Sequence, residues 1–429
     1  MKVAFYTLGC KVNQYESQAM SEMLAQHGYE IVDSKQNANI YIINSCTVTA
    51  VADKKTRQAV RRFKRNNPQS IVILTGCMPQ AYPQDADELL EADIVLGNKS
   101  NYKLLDYLDT FMKFGKRVVN ISEHKKGDKF CSVQISSFDE RTRAYLKIQD
   151  GCNRFCSYCI IPTSRGRVRS KPIEDIKNEV ERLAKNGYAE IVLVGINLSS
   201  YGSDIGSDFP SAVEAACSVE KIKRVRLGSL EPDHLTDEVI ERLSKCEKLC
   251  PQFHISLQSG CNNTLKSMNR HYTAEEYEKL CNKLRSCFPD CTLTTDVMVG
   301  FAGETDEDFN ESLEFVKKIG FENVHVFPYS VRTGTRAEKM PGHNSKSVKE
   351  SRCSIMIEET TKMRRRFFES IVGKTYSVLF ESKTTDGFIC GHTANYVPIK
   401  VKSPQEFCGE IKDIVITKAC DEFCIGEFI

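Results

Sequence analysis

Between Ala144 and Phe327 one pattern returns six times: a short run rich in β-formers, then a stretch that leads to the next run. The runs are Ala144–Ile148, Glu190–Val194, Lys223–Gly228, Phe253–Leu257, Leu293–Val299 and Asn323–Phe327. Amphipathic helices are expected between most of them. Pro172–Asn186 has a first-turn proline and stops at Gly187, and Thr273–Cys287 opens with Thr273 and Glu276 spaced as a capping box. Six sequential βα units fit a barrel or partial barrel. Such a fold gathers its chemistry on the loops after the carboxyl ends of the strands.

The rest of the chain is organised around this unit. Residues 1–121 also alternate, with strands expected at Lys2–Thr7, Asn39–Asn44, Ser70–Thr75 and Ala92–Gly97. Helices are expected over Asn13–His27 and Val51–Arg65, which predicts a mostly parallel, doubly wound α/β sheet. Residues 122–140 begin with a charged, aperiodic stretch, SEHKKGDKF, and read as a linker. The barrel domain is placed at 141–371. In residues 372–429 short strands are separated by Asp386–Gly387, Gly391 and Cys408–Gly409, which predicts a small antiparallel β-barrel.

The chain has 429 residues and 19 cysteines, an odd number spread along its length. Neither fact suits a disulfide framework; metal ligation or reduced buried thiols fit better. No apolar run is long enough for a membrane span and the N-terminus lacks a signal-peptide pattern, so a cytoplasmic protein with no membrane partner is expected.

One group of cysteines is distinctive. After the first barrel strand comes DGCNRFCSYCI, in which Cys152, Cys156 and Cys159 form CxxxCxxC. Three thiolates can hold three irons of a 4Fe–4S cubane and leave the fourth open. S-adenosylmethionine (SAM) can occupy that iron through its amino and carboxylate groups. Reductive cleavage of SAM then yields a 5′-deoxyadenosyl radical. A structural zinc site is the competing reading, but zinc usually takes four protein ligands and this loop has three. The catalytic residues are therefore expected to be Cys152, Cys156 and Cys159. Candidate SAM ligands on the following loops are Gly195, Asn197, Ser229, Glu231 and Gln258, with Ser259, Gly300 and Gly303 beside them. Any one of these alone is equally well read as a turn or barrel-layer residue.

Cys10, Cys46 and Cys77 each sit just after a predicted strand of the first domain: FYTLGC, IYIINSC and IVILTGC. Parallel strand ends face one crevice, so three distant cysteines can meet there and bind a second cluster. Three inert buried thiols are the alternative. The other thirteen cysteines show no such pattern, and burial is their expected role. Ala52–Asn66 carries seven basic residues against Asp53, including Arg57, Arg61, Arg62 and Arg65, a local net of +6. With Arg364 and Arg365, these are the candidate phosphate contacts. From Gly373 onward six lysines face eight carboxylates, so charge alone does not make the C-terminal barrel an RNA binder.

These features together resemble the radical SAM methylthiotransferases over essentially the whole chain: a three-cysteine N-terminal domain, a radical SAM barrel and a C-terminal domain similar to TRAM domains. The resemblance implies two 4Fe–4S clusters, held by Cys10, Cys46 and Cys77 and by Cys152, Cys156 and Cys159. It also implies insertion of a methylthio group at an unreactive C–H bond. One SAM methylates a sulfur; a second supplies the radical that removes hydrogen from the acceptor carbon. TLGCKVNQYES (Thr7–Ser17) and HVFPYSVRTGT (His325–Thr335) resemble the branch acting on tRNA N6-threonylcarbamoyladenosine. The isopentenyladenosine branch typically has GCQMN at the first cysteine, and the ribosomal-protein branch GCPKN. The implied acceptor is C2 of that adenine at position 37, in the anticodon loop, with an electron donor and a sulfur source still to be identified. Ala302 and Arg336 depart from the family, which usually has proline at both positions. Rival readings are the same chemistry on isopentenyladenosine or a ribosomal protein, and a non-enzymatic iron–sulfur RNA-binding or redox-sensing protein.

Overall fold

The computed structural model describes residues 1–132, 135–137 and 142–429; part of the expected linker, at 133–134 and 138–140, and the first residue of the expected barrel domain, 141, lie outside the described residues. The first sheet is parallel throughout, in the order β2-β1-β3-β4-β5-β6. Its strands are β1 (Lys2–Thr7), β2 (Glu30–Val32), β3 (Ile40–Ser45), β4 (Ile71–Gly76), β5 (Ile94–Leu96) and β6 (Val118–Asn120). Sequence reasoning missed β2 and β6, which are three-residue edge strands with little periodicity to read. Alternate residues of the central strands feed two cores. Tyr41, Ile43, Val72 and Leu74 pack with Val60 and Phe63 of the helix Ala50–Asn66. Ile40, Ile42 and Ile73 pack with Met20 and Leu24 of the helix Lys11–Gln26 on the opposite face. The strand order reverses at β1/β3, where a doubly wound sheet opens a crevice at its carboxyl edge.

The second domain begins with β7 (Arg143–Lys147) and a short ribbon, β8 (Gln149–Asp150) against β9 (Arg169–Ser170). It continues with β10 (Glu190–Val194), β11 (Arg224–Leu227), β12 (Ser229–Leu230), β13 (Gln252–Ile255), β14 (Thr292–Val299) and β15 (Asn323–Pro328). The third barrel strand is broken at Gly228. Its first half, β11, pairs with β10, and its second half, β12, pairs with β13. Six parallel strand positions result, an incomplete barrel. Thr273 and Glu276 form the expected capping box. Strand alternation sorts the side chains. Leu146, Ile191, Leu193, Val225, Phe253, Leu293 and Val297 join the core beneath the helices. Their neighbours Arg143, Glu190, Arg226, His254 and Asp296 therefore face the lumen.

Two other elements close that lumen. The C-terminal strands β16 (Thr375–Lys383), β17 (Phe388–Thr393), β18 (Pro398–Lys402), β19 (Ile411–Ala419) and β20 (Cys424–Phe428) form a closed barrel. It is antiparallel except for one pairing, β18 with β20, which is parallel because β19 lies on the far side of β20. This barrel docks on the amino ends of β11 and β14. Arg224 donates to the Ser377 carbonyl at 2.8 Å, Arg226 to that of Ala394 at 3.0 Å, and Thr292 to that of Asn395 at 2.6 Å. From the N-terminal domain, Val12 packs on the lumen-facing Val192 and Val194. Among the described residues no helix is long and apolar enough to cross a membrane.

A fully buried ion pair, Lys171 with Glu179, backs this junction, and Tyr15 of the N-terminal domain donates to Glu179 at 2.9 Å. Lys171→Met should cost about 3–5 kcal/mol, because it strands a buried carboxylate; adding Glu179→Leu should recover much of the loss. Denaturant unfolding of both variants checks this, and equal losses would mean the pair's charge balance is unimportant.

Candidate active site

The CxxxCxxC loop leaves β8 at Gly151, whose φ is +74°. A Cβ there would meet the Arg167 carbonyl at 2.0 Å, so only glycine fits. The loop is then pinned to the turn after the helix Asn262–Ser267. Ser157 N–H donates to the Met268 carbonyl at 2.9 Å, and Asn269 Nδ2 to the Phe155 carbonyl at 3.1 Å. The sulfurs are met by donors: Cys152 Sγ by Arg154 N–H at 3.4 Å and Asn197 Nδ2 at 3.7 Å, and Cys156 Sγ by Arg270 Nη1 at 3.3 Å. Burial raises the Cys152 and Cys159 thiols above the ordinary range. Hydrogen-bond donors and a guanidinium aimed at sulfur suit thiolates, the form that binds iron.

Around this loop stand the expected SAM ligands. Asn197 N–H donates to Gln149 Oε1 at 2.8 Å, and Gly195 leaves room for that same amide, which a Cβ would meet at 2.8 Å. Glu231 is engaged by Arg270, which also donates to the Ser256 carbonyl at 3.2 Å. Ser229 Oγ lies 3.1 Å from Ser256 Oγ. Gln258 has φ +66°, and its buried Oε1 has no hydrogen-bond partner among the described residues. An orphaned acceptor of this kind fits a ligand-binding position. Ser259 instead accepts from Cys261 N–H at 3.2 Å. Gly300 is pressed against Lys349 of the last helix, Lys346–Ser370, where a Cβ would meet Cγ at 2.4 Å. Val48, Thr49, Tyr158, Gln258, Asp296 and Tyr329 line a cavity of about 180 Å³ beside Cys159.

Cys10, Cys46 and Cys77 follow β1, β3 and β4 at the crevice edge. Gly9, at φ +110°, lets the first loop approach the second: a Cβ there would meet Cys46 Cβ at 2.8 Å. Burial pushes the Cys77 thiol up to about 12 and also raises Cys46. Sequence reasoning missed the side chain that ties this site to the radical loop. Arg165 ends the helix Ile161–Arg165, directly after Cys159, and is completely buried. Its Nε donates to Cys77 Sγ at 3.2 Å, and its Nη2 to Asn13 Oδ1 at 3.1 Å and Glu16 Oε2 at 2.9 Å. Lys147 lies 2.7 Å from both Glu16 and Asp150, and Arg169 lies 3.2 Å from Asp150. Three buried cations thus meet two buried carboxylates. Anionic sulfur ligands at Cys77 would balance the excess, so the donor set fits a thiolate-ligated cluster. Among the described residues no three His, Cys, Asp or Glu groups converge closely enough to hold a single metal ion. A cubane differs in this respect, because its irons sit at separate corners.

The lumen holds further groups that sequence reasoning did not single out. Asp296 lies 3.2 Å from His254 and 3.3 Å from His325. Burial works against its charge, yet hydrogen bonds from both imidazoles outweigh it and hold the carboxyl below the usual range. Lys11 is exposed, although protein flanks its ammonium. Burial first, then Arg143 and Arg226, pushes its ammonium down to about 8. Polar residues at alternate strand positions, as in RVRL and QFHI, were the available signal.

The basic helix is less free than its composition suggests. Arg57 pairs with Asp85 at 3.7 Å and Arg61 with Glu91 at 3.4 Å, while Arg62 lies over the rings of Tyr6 and Phe63. Lys54, Lys55 and Arg65 are exposed and have no ion-pair partner among the described residues. Arg365 bonds Glu369 and Asp421, and Arg364 is half-buried.

A partial βα barrel with a CxxxCxxC loop at its mouth defines a radical SAM enzyme. The Radical SAM superfamily model matches residues 146–316, and that of the uncharacterized protein family UPF0004 matches residues 2–97. The chain is 38% identical over 434 residues to threonylcarbamoyladenosine tRNA methylthiotransferase MtaB of Bacillus subtilis, covering 100% of this chain and 96% of the relative. The enzyme of the same name from Thermotoga maritima is 39% identical, over 92% of this chain and 90% of its own length. A tRNA-2-methylthio-N(6)-dimethylallyladenosine synthase of Clostridium perfringens is 35% identical, over 99% and 96%. Among solved structures, the radical SAM methyltransferase TsrM from Kitasatospora setae aligns with TM-score 0.58 at 13% identity, over 91% of this chain and 77% of that one, a likeness of fold alone. The chain belongs to the methylthiotransferase family of radical SAM enzymes, and its cofactors are SAM and two 4Fe–4S clusters.

Replacing Cys152, Cys156 and Cys159 with Ala should remove about four of about eight irons per reconstituted chain and abolish SAM cleavage. Replacing Cys10, Cys46 and Cys77 should remove a similar share, leave SAM cleavage and eliminate methylthio product. Iron analysis with 5′-deoxyadenosine and product assays reads all three quantities; product from the second variant at the normal rate would make those cysteines structural.

Proposed function

We propose that the enzyme converts N6-threonylcarbamoyladenosine, next to the anticodon of tRNA, to its 2-methylthio derivative. The observation that carries this reading is the Arg165 bridge. It sets the three-cysteine crevice against the radical loop, so that a sulfur held at one and a radical generated at the other can address one base. When bound, the two clusters and SAM supply the one-electron chemistry and the methylthio group. Cys152, Cys156 and Cys159 hold the radical cluster, and Cys10, Cys46 and Cys77 the auxiliary one. Gly195, Asn197, Ser229, Glu231 and Gln258 border the SAM site. Arg270 holds Glu231 and faces Cys156, which fixes both relative to the loop. The apolar wall of Tyr158, Met298 and Tyr329 keeps water from the reacting atoms.

Both full-length tRNA-acting kinds of relative support an RNA substrate, and the greater identity to the threonylcarbamoyl enzymes supports that base. An anticodon-loop adenosine can be unstacked into a pocket without the added cost of breaking a base pair. Thr49 lines the cavity and caps the basic helix Ala50–Asn66, so phosphates bound along that helix would lead toward the opening.

Reconstituted enzyme should methylthiolate tRNA carrying N6-threonylcarbamoyladenosine and leave tRNA carrying dimethylallyladenosine largely unmodified. Mass spectrometry of digested nucleosides reads the outcome, and turnover of the dimethylallyl substrate alone would move the enzyme to the other branch. The free basic residues give a second expectation. Changing Lys54, Lys55 and Arg65 together to Gln should weaken tRNA binding irrespective of the modified base. It should also flatten the salt dependence of log K by up to about three. An unchanged slope would place the RNA on another surface.

A further inference from the structure

We propose that Lys11 is the specificity-determining residue of the site: its ammonium pairs with the free carboxylate of the substrate's threonylcarbamoyl group. The assignment rests on the threonylcarbamoyl reading of the substrate given above.

Lys11 directly follows Cys10 and opens the helix Lys11–Gln26. The next residue, Val12, is buried against Val192 and Val194 on the inner face of β10, which brings the start of this helix into the open side of the barrel. The charged groups that face Lys11 are Arg143, Arg226, Glu190 and the Cys10 sulfur. Glu190 is already taken: Arg226 Nε lies 2.8 Å from it, Arg143 3.8 Å and Arg224 3.9 Å. The other nearby carboxylate, Glu381, is shared by Arg143 at 2.9 Å and His392 at 2.7 Å. Three guanidinium groups and Lys11 therefore stand against two carboxylates. Lys11 is exposed and makes no side-chain hydrogen bond or ion pair with any described residue. Crowding a free cation among fixed cations is unfavourable unless an anion arrives to pair with it.

The two classes of relative differ in one property relevant here. In threonylcarbamoyladenosine the threonine is joined through its amine, so its carboxylate stays free, separated from adenine N6 by a carbonyl carbon, a nitrogen and the α-carbon. A dimethylallyl group carries no charge and gains nothing from an ammonium. A site built to pair with a charged group also rejects an analogue lacking it, because its own charge is then left unmatched. Arg143 and Arg226 are fixed by Glu190 and by the ring of Tyr396, over which they lie at 5.2 and 4.6 Å. They supply a standing positive field, and Lys11 supplies the contact.

The test compares anticodon stem-loop RNAs that carry the natural threonylcarbamoyl acid, its neutral carboxamide and dimethylallyladenosine, using fully reconstituted wild-type, Lys11→Gln and Lys11→Arg enzyme with iron content measured for each. Wild type should lose roughly ten- to a hundredfold in kcat/KM from acid to carboxamide, the scale of one charge-assisted contact. Lys11→Gln should lose a similar factor on the acid and little on the carboxamide, and Lys11→Arg should retain most of the discrimination. A wild type that treats acid and carboxamide alike overturns the assignment, whatever the variants do. So does a Lys11→Gln enzyme weakened equally on both, which would mean an RNA phosphate or the SAM carboxylate is the anion. Wild-type turnover of dimethylallyl RNA alone would instead refute the substrate reading itself.

Discussion

The molecule depends on one buried guanidinium. Arg165 leaves water entirely and is repaid by Glu16, Asn13 and the Cys77 sulfur on one side and by Asp150 on the other. Burial opposes the charge on Glu16, but Arg165 and Lys147 outweigh it and hold that carboxyl below its usual range. Such a network adds little net stability compared with an apolar junction, because desolvation consumes most of the Coulombic gain. Its use here is geometric. Arg165 follows the radical loop by six residues, and Cys77 closes the sulfur crevice, so one rigid side chain fixes the spacing of two sites on different domains.

This explains a motif whose sequence has no local logic. In TLGCKVNQYES, Asn13 and Glu16 are three residues apart and so share one face of the helix Lys11–Gln26, the face turned to Arg165. Tyr15 reaches Glu179, and Ser17 bonds Thr7 and Asn44 within the first domain. The placement of Cys10, Cys46 and Cys77 was legible because parallel strands put their carboxyl ends on one edge, and three apolar runs ending in Cys announced it. Arg165 was not legible. Its partners in the first domain, Cys77, Glu16 and Asn13, lie 88, 149 and 152 residues away, and no periodicity reports a pairing between domains.

The barrel divides in the same way. Six runs of β-formers revealed six strand positions, and capping chemistry located helices to within a few residues. What the runs concealed was their polar half. A closed eight-stranded barrel fills its interior with layers of branched apolar side chains. This one has six strand positions, and its inward positions include Arg143, Glu190, Arg226, His254 and Asp296. Such residues are held by ion pairs and hydrogen bonds within an enclosure that other elements finish: Val12 at the open side, and Tyr396 with the Thr393 and Ala394 carbonyls beneath. The role of each polar strand residue is thus set by two other domains, which no window along a single strand contains.

That enclosure separates two kinds of recognition. The exposed Lys54, Lys55 and Arg65 lie outside the lumen, on a helix whose N-terminus borders the cavity. Contacts there to phosphate position an RNA without reading it. Discrimination between modified adenines has to come from groups that meet the modification itself, and those lie inside. The C-terminal barrel takes part in this although its own residues from Gly373 onward are net negative. Glu381 and Tyr396 hold Arg143 and Arg226 in place at the lumen floor. A change in that domain can therefore alter which base is accepted through the arginines it orients, while the outer phosphate contacts and the overall affinity for RNA stay as they were.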